Sequence, residues 1–174
     1  LFQYLMEIGK AIKKMRKIIN PWKRIPEFNC FGCSENNADG LKMKFEEEDG
    51  QLVCHWHPQK QFQGWVNVLH GGIQCTLMDE MAAWVILHDL KVSGMTTKLE
   101  TKFLKPLHTD DLVLTIRGKL RKEVHRLAQV DVSIENSKGE VCAQALATYY
   151  TFTPEESVKN FYYQDFTYEE ENNK

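Results

Sequence analysis

Apolar and polar positions in this 174-residue chain follow two helical patterns and several alternating ones. The longest apolar segment runs from Val66 to Leu87. In and just beyond it, Ile73, Leu77, Met81, Trp84 and His88 fall within about 90° of one another at 100° per residue, which predicts a helix. The opposite stripe, Gly72, Cys75, Asp79, Ala82, Ala83 and Ile86, is small and almost uncharged. A helix apolar all round is buried all round, so a sheet should wrap one side and something else should cover the other. Asp79 lies mid-stripe, where a carboxylate is costly unless it is paired, neutralised or used.

Helical spacing also appears in Leu5, Ile8, Ile12, Met15, Ile18 and Ile19, with Lys10, Lys13, Lys14, Arg16 and Lys17 between them and Pro21 as a stop. This predicts a basic amphipathic helix over residues 1–20, packed on its own domain or oligomer rather than on a membrane surface. Leu41 to Phe45 alternates as a strand, Asp49-Gly50 is a hairpin turn, and Gln51 to His57 returns. His55 and His57 share a face of that strand without an obvious third ligand, so a solvated or hydrogen-bonded pair is expected. After Pro58, residues 59–69 form a loop.

Past Ser93-Gly94, Met95 to Leu104 reads as a strand with Met95, Thr97, Leu99, Thr101 and Phe103 on one face and Thr96, Lys98 and Glu100 on the other. Residues 111–122 and 124–136 are two long alternating strands, and residues 141–152 are the last. The order is two strands, one long helix, then four strands: an α+β domain whose helix a second subunit would help to cover. From Pro154 the chain is polar and acidic, with Phe161, Tyr162, Tyr163 and Phe166 expected to cover a groove on this subunit or a neighbour. The expected divisions are 1–25, 26–153 and 154–174.

Composition narrows the function. A chain 43% hydrophobic and 26% charged suits one globular domain, and a net charge of -2 argues against a dedicated nucleic-acid binder. No run approaches the roughly 18 apolar residues of a membrane span. Basic residues interrupt any signal-like apolar core, and five cysteines read as reduced thiols, so a cytoplasmic location is expected. Cys30-Phe-Gly-Cys33 has the spacing of half a zinc site or of a redox pair. No second such motif or His pair follows closely, and a loop leads into a strand here, so no metal is expected.

The His70-Gly71-Gly72 turn with Asp79 nine positions after the His resembles the hotdog-fold acyl-CoA thioesterases, in particular the PaaI-like branch. Phe103-Leu-Lys-Pro106 resembles the close of the strand after the helix in that family. Cys-Phe-Gly-Cys ahead of Asn36, Asn37, Gly40 and Leu41 resembles the start of one subgroup, which implies a structural role there. The resemblance spans about Cys30 to Phe152. It implies an antiparallel sheet wrapped around one central helix, a homodimer or homotetramer, an acyl-CoA substrate and no cofactor.

It also implies roles. The Gly71 N–H, with Gly72 as a second donor, would polarise the thioester carbonyl at a helix N-terminus. Asp79 would be general base or nucleophile, and His70 would orient the turn. Gln63 is the expected polar residue near the attacking water. Thr96, with Thr97 beside it, is expected to face the acid, and alternation allows only one of them to do so. Glu80 is a rival to Asp79, disfavoured by its register. Trp65, Met78 and Trp84 are candidates for the acyl pocket or for plain core. Lys105, Arg121, Lys122 and Arg126 are candidates for a basic rim around the CoA phosphates, with Arg121 taken as substrate-binding. Two other readings keep the fold: a non-catalytic binder of acyl-CoA or an acyl carrier, and an enoyl-thioester hydratase, whose Asp-His pattern is absent.

Overall fold

The computed structural model describes residues 15–169. The eight strands are β1 (Met15–Ile19), β2 (Glu46–Glu48), β3 (Gln51–Trp56), β4 (Gly94–Phe103), β5 (Leu114–Val124), β6 (Leu127–Glu135), β7 (Val141–Thr151) and β8 (Thr167–Tyr168). They form one antiparallel sheet in the order β4-β7-β6-β5-β3-β2-β1-β8. Helix α1 (Gly71–Val85), extended by a π-helical turn over Ile86–Leu90, packs on strands β3 to β7. This is the hotdog arrangement, one long helix held by a wrapped sheet.

The helix sits close to the sheet because β5 carries a glycine beneath it. A Cβ at Gly118 would come 2.6 Å from Val85 Cγ2 and 2.9 Å from Met81 Cγ. The sheet's inward positions Ala128, Val130, Val132, Ile134, Ala143, Ala145 and Ala147 are all buried, and Leu77, Met78, Met81 and Trp84 meet them from the helix. Met78 and Trp84 are therefore core. Trp84 stacks on Phe45 and on Phe166, with ring centroids 4.1 and 5.4 Å away.

The amino-terminal expectation needs correction. Residues 15–19, placed at the end of a basic helix, form β1 and pair with β2 and β8. In the strand Met15 and Ile19 lie on one exposed face and only Ile18 is buried, so pairing with the edges of β2 and β8 takes the place of the helical stripe. The rest of that segment lies outside the described residues. The strand expected at Leu41 to Phe45 is also displaced. Its side chains alternate buried and exposed, but Lys42 is left-handed (φ 54°), and its amides bond to the Cys30–Cys33 loop: Leu41 N to Phe31 O at 2.8 Å and Met43 N to Gly32 O at 2.9 Å. Ladder pairing starts only at Glu46, leading to a tight turn at Asp49-Gly50, both with positive φ.

The carboxy-terminal segment is structured as well. Thr153 and Glu156 form a reciprocal capping box that starts α2 (Pro154–Phe161). Phe166 and Tyr163 then pack on the core of this same chain, and β8 extends the sheet beyond β1. His55 and His57 are hydrogen-bonded to Glu46 and to the Leu112 carbonyl, respectively.

Candidate active site

The N-terminus of α1 is built by His70, whose backbone (φ -59°, ψ 134°) is extended and whose Nδ1 accepts a 2.9 Å hydrogen bond from the Gly72 N–H. A nitrogen that accepts carries no proton, so in the neutral ring the proton is on Nε2. Gly72 was expected as a second donor to substrate, but its N–H is already committed to this cap. A Cβ at Gly72 would lie 3.1 Å from His70 Nδ1, which favours glycine there. The Gly71 N–H, at the first helical position, has no partner among the described residues and opens the helix beside Phe103.

Around this donor lies a cavity lined by Gly64, Trp65, Leu69, His70, Gln74 and Phe103 to Pro106. Trp65 is 82% exposed at its rim. Gln63 is on the same side: its side chain accepts from the Asn67 N–H, and the following Gly64 packs on the His70 ring. Gln74 was not anticipated. It is buried and donates to the Leu69 carbonyl, while its Oε1 has no partner among the described residues, so this acceptor calls for a donor.

Asp79 lies further along α1 and is half-buried. Thr96 Oγ donates to Asp79 Oδ1 at 2.8 Å, and Tyr149 OH lies 2.7 Å from the same oxygen. Asp79 Oδ2 has no hydrogen-bond partner among the described residues. Burial, and then the charge of Asp79, push the Tyr149 hydroxyl far above the ordinary tyrosine range, so it is a neutral donor. Tyr149 was not anticipated either. The alternation of β7 carried a signal, since Tyr149 continues the inward set Ala143, Ala145 and Ala147 and a buried phenol needs a partner.

Thr96 reaches Asp79 because β4 is not a regular strand. A register shift between Thr96 and Lys98 turns Thr96 onto the helix side, where Thr101 contacts Cys75 and Phe103 covers Gly71. The face assignment from strict alternation is corrected accordingly. Thr97 falls in the shift and donates to the Thr148 carbonyl at 3.0 Å instead. Arg121 grips Asp131 through two nitrogens and lines a different groove, with Lys102, Arg117 and Gln144, so it is not part of the Asp79 cluster. Lys105 pairs with Glu140. Glu80 points to neither half of this site: it lies against Cys30 and accepts from Trp84 Nε1 at 3.1 Å.

Residues 66–143 match the model of the thioesterase superfamily. A curated protein of Saccharolobus solfataricus named "Putative esterase" is 30% identical over 138 residues, 78% of this chain and 91% of that protein. The chain belongs to the thioesterase superfamily. Thioesterase-type hydrolysis is the class of activity that goes with this membership. Among solved structures of the superfamily, a hypothetical thioesterase from Streptococcus pneumoniae TIGR4, solved with coenzyme A, is 28% identical. It covers 60% of this chain and 80% of its own, with a TM-score of 0.56. Forms of that protein with one aspartate or one threonine changed to alanine superpose with a TM-score of 0.59 at 26% identity. They cover 71% of this chain and 97% and 96% of theirs.

Proposed function

We propose that the protein hydrolyses an acyl-CoA thioester to the free acid and CoA. The observation that carries this is the environment of Asp79: two hydroxyls hold one carboxylate oxygen and leave the other free, a carboxylate aimed and ready to take a proton. The S. pneumoniae relative adds support, having been solved with coenzyme A and with an aspartate and a threonine separately replaced.

The site is composite. Eight residues of α-helix separate Gly71 from Asp79, a rise of about 12 Å. A thioester oxygen about 3 Å from the Gly71 N–H is therefore beyond the reach of the same chain's Asp79. The two halves meet only if a second copy supplies one of them. Strand β4 is suited to such pairing. It is ten residues long, no described strand pairs with its outer edge, and it carries Thr96. Met95 and Phe103 on it, and Trp65 and Val66 near the helix N-terminus, are all more than half exposed. A long free edge with apolar side chains is a surface for another chain. The protein accordingly acts as a homodimer or a dimer of dimers.

In this site the thioester oxygen accepts from the Gly71 N–H, and the helix dipole favours the charge that develops there. Asp79 Oδ2 takes a proton from water as that water attacks the carbonyl carbon. The oxyanion then collapses, the C–S bond breaks, and the proton passes to the departing CoA sulfur. Attack by Oδ2 itself, through a mixed anhydride, uses the same geometry. Label in Asp79 after single turnover in 18O-water would establish the anhydride route, opened by water at the Asp79 carbonyl, since the general-base route puts none there.

A panel of acyl-CoA esters read by free-thiol release tests the function. Thiol release by the wild type should fall by about two to four orders of magnitude in Asp79→Asn, with the fold intact by circular dichroism. Ester binding without thiol release would instead establish a non-catalytic acyl-CoA binder.

A further inference from the structure

On the side of α1 away from Asp79, the Cys30–Cys33 loop meets the helix. Cys30 Sγ, Cys33 Sγ and a Glu80 carboxylate oxygen all lie within 4.8 Å of one another. Cys30 Sγ is 3.7 Å from Glu80 Oε2. Donor atoms of a tetrahedral zinc site stand about 3.5–3.8 Å apart, given Zn–S of about 2.3 Å and Zn–O of about 2.0 Å. A small contraction would close the three around one ion.

The surroundings hold these donors in place. Trp84 Nε1 donates to Glu80 Oε1, which leaves Oε2 directed at the thiols. Asn20 Nδ2 lies 3.5 Å from Cys33 Sγ and 3.3 Å from the Cys33 carbonyl. Bonds from Leu41 and Met43 fix the Phe31 and Gly32 carbonyls. A Cβ at Gly32 would come 2.4 Å from Glu80 Oε2, so only glycine leaves room for the carboxylate between the sulfurs. No lysine, arginine or histidine among the described residues pairs with Glu80. An acid packed against two thiols without a cation is half of a charge balance.

We propose that Cys30, Cys33 and Glu80 bind a zinc-class divalent cation that clips the amino-terminal loop to the central helix. Two thiolates and a carboxylate provide three ligands and leave the fourth tetrahedral position to water. Binding releases the two thiol protons and involves no electron transfer. The clip fixes α1 one residue beyond Asp79, so the metal has a structural role and touches no substrate.

The test is a cobalt(II) titration of the full, freshly reduced protein, with zinc competition. One cobalt per chain should bind, with thiolate-to-cobalt charge-transfer absorption that zinc abolishes. Cys30→Ser should lose the absorption, and Glu80→Gln should keep it while binding at least about tenfold more weakly. Saturating zinc should raise the melting midpoint of the wild type and not that of Cys30→Ser. Absence of charge transfer in the reduced wild type would overturn the proposal whatever the variants do. So would uptake undiminished in Cys30→Ser, or a Cys30–Cys33 disulfide that persists in reduced glutathione while no metal binds.

Discussion

Asp79 and Glu80 are neighbours in sequence, equal in charge and about 100° apart on one helix, yet the fold treats them in opposite ways. Asp79 looks toward the sheet edge, where hydroxyls from β4 and β7 take one of its oxygens and no described residue takes the other. Glu80 looks toward the amino-terminal loop, where a tryptophan N–H, two thiols and a glycine enclose it. A carboxylate with one oxygen unclaimed by any described residue is placed for the proposed chemistry. One enclosed by soft donors is placed for holding structure together. The chemistry of a helix face is set by what the rest of the chain brings to it.

After Asp79→Asn, the largest effect on the Asp79 side should come from Gly71→Pro. His70 is already extended, as a residue before proline must be, and the first helical position tolerates proline, so the change deletes one N–H and leaves the helix. Turnover should fall by about two to three orders of magnitude with little change in melting temperature. Tyr149→Phe removes one of the two donors on Asp79 Oδ1, and kcat/KM should drop by about 5- to 100-fold. An unchanged rate would mean that Thr96 alone aims the acid.

The Glu80 side should answer in stability. Gly32→Ala drives a Cβ into the carboxylate and should cost about 1–3 kcal/mol in urea unfolding. A loss of turnover as large as that of Gly71→Pro, without loss of stability, would blur the contrast between the two faces.

The smallest effect is a pH window at the far end of α1. Glu47 is held down to about 2: burial opposes the shift, but Arg16, Tyr168 and His88 all donate to its carboxylate. His88 is raised above its ordinary value, first by Asp89 and against burial, then by Glu47. A depressed acid contributes fully above its unfolded value of 4.5 and loses this as pH falls toward 2. A raised histidine contributes fully below 6.5 and loses this as pH rises through its folded value. The pair is therefore most stabilising between pH 4.5 and 6.5. Plots of urea midpoint against pH should flatten on the acid side in Glu47→Gln and on the alkaline side in His88→Gln.

Much of this was legible in the chain. The helix and the strands after it follow from periodicity, because burial on one face imposes it, and the turn at Asp49-Gly50 follows from its Asp-Gly dipeptide. The His70-Gly71-Gly72 turn with Asp79 nine residues on marked the candidate site, and the structure caps the helix with that His and sets two hydroxyls on that Asp. What escaped depends on non-local facts. The choice between Thr96 and Thr97 rests on a register shift that alternation cannot show. The third donor beside Cys30 and Cys33 comes from fifty residues later. Met15, Ile18 and Ile19 have helical spacing, and the pairing of residues 15–19 with the edge of β2 is a non-local fact their spacing does not show. The gap of about 12 Å between Gly71 and Asp79 was implicit in their spacing, and its consequence emerges only when both must touch one carbonyl.

The composite site is the central claim, and subunit mixing tests it most directly. Asp79→Asn and Gly71→Pro are each nearly inactive alone. When equal amounts are unfolded and refolded together, half the dimers are mixed, and each mixed dimer has one site with the Asp79 of one copy and the Gly71 of the other both intact. Turnover should return to roughly a quarter of wild type. If mixed dimers form and activity stays at the level of the parents, Gly71 and Asp79 of the same chain serve one site, and the account is wrong.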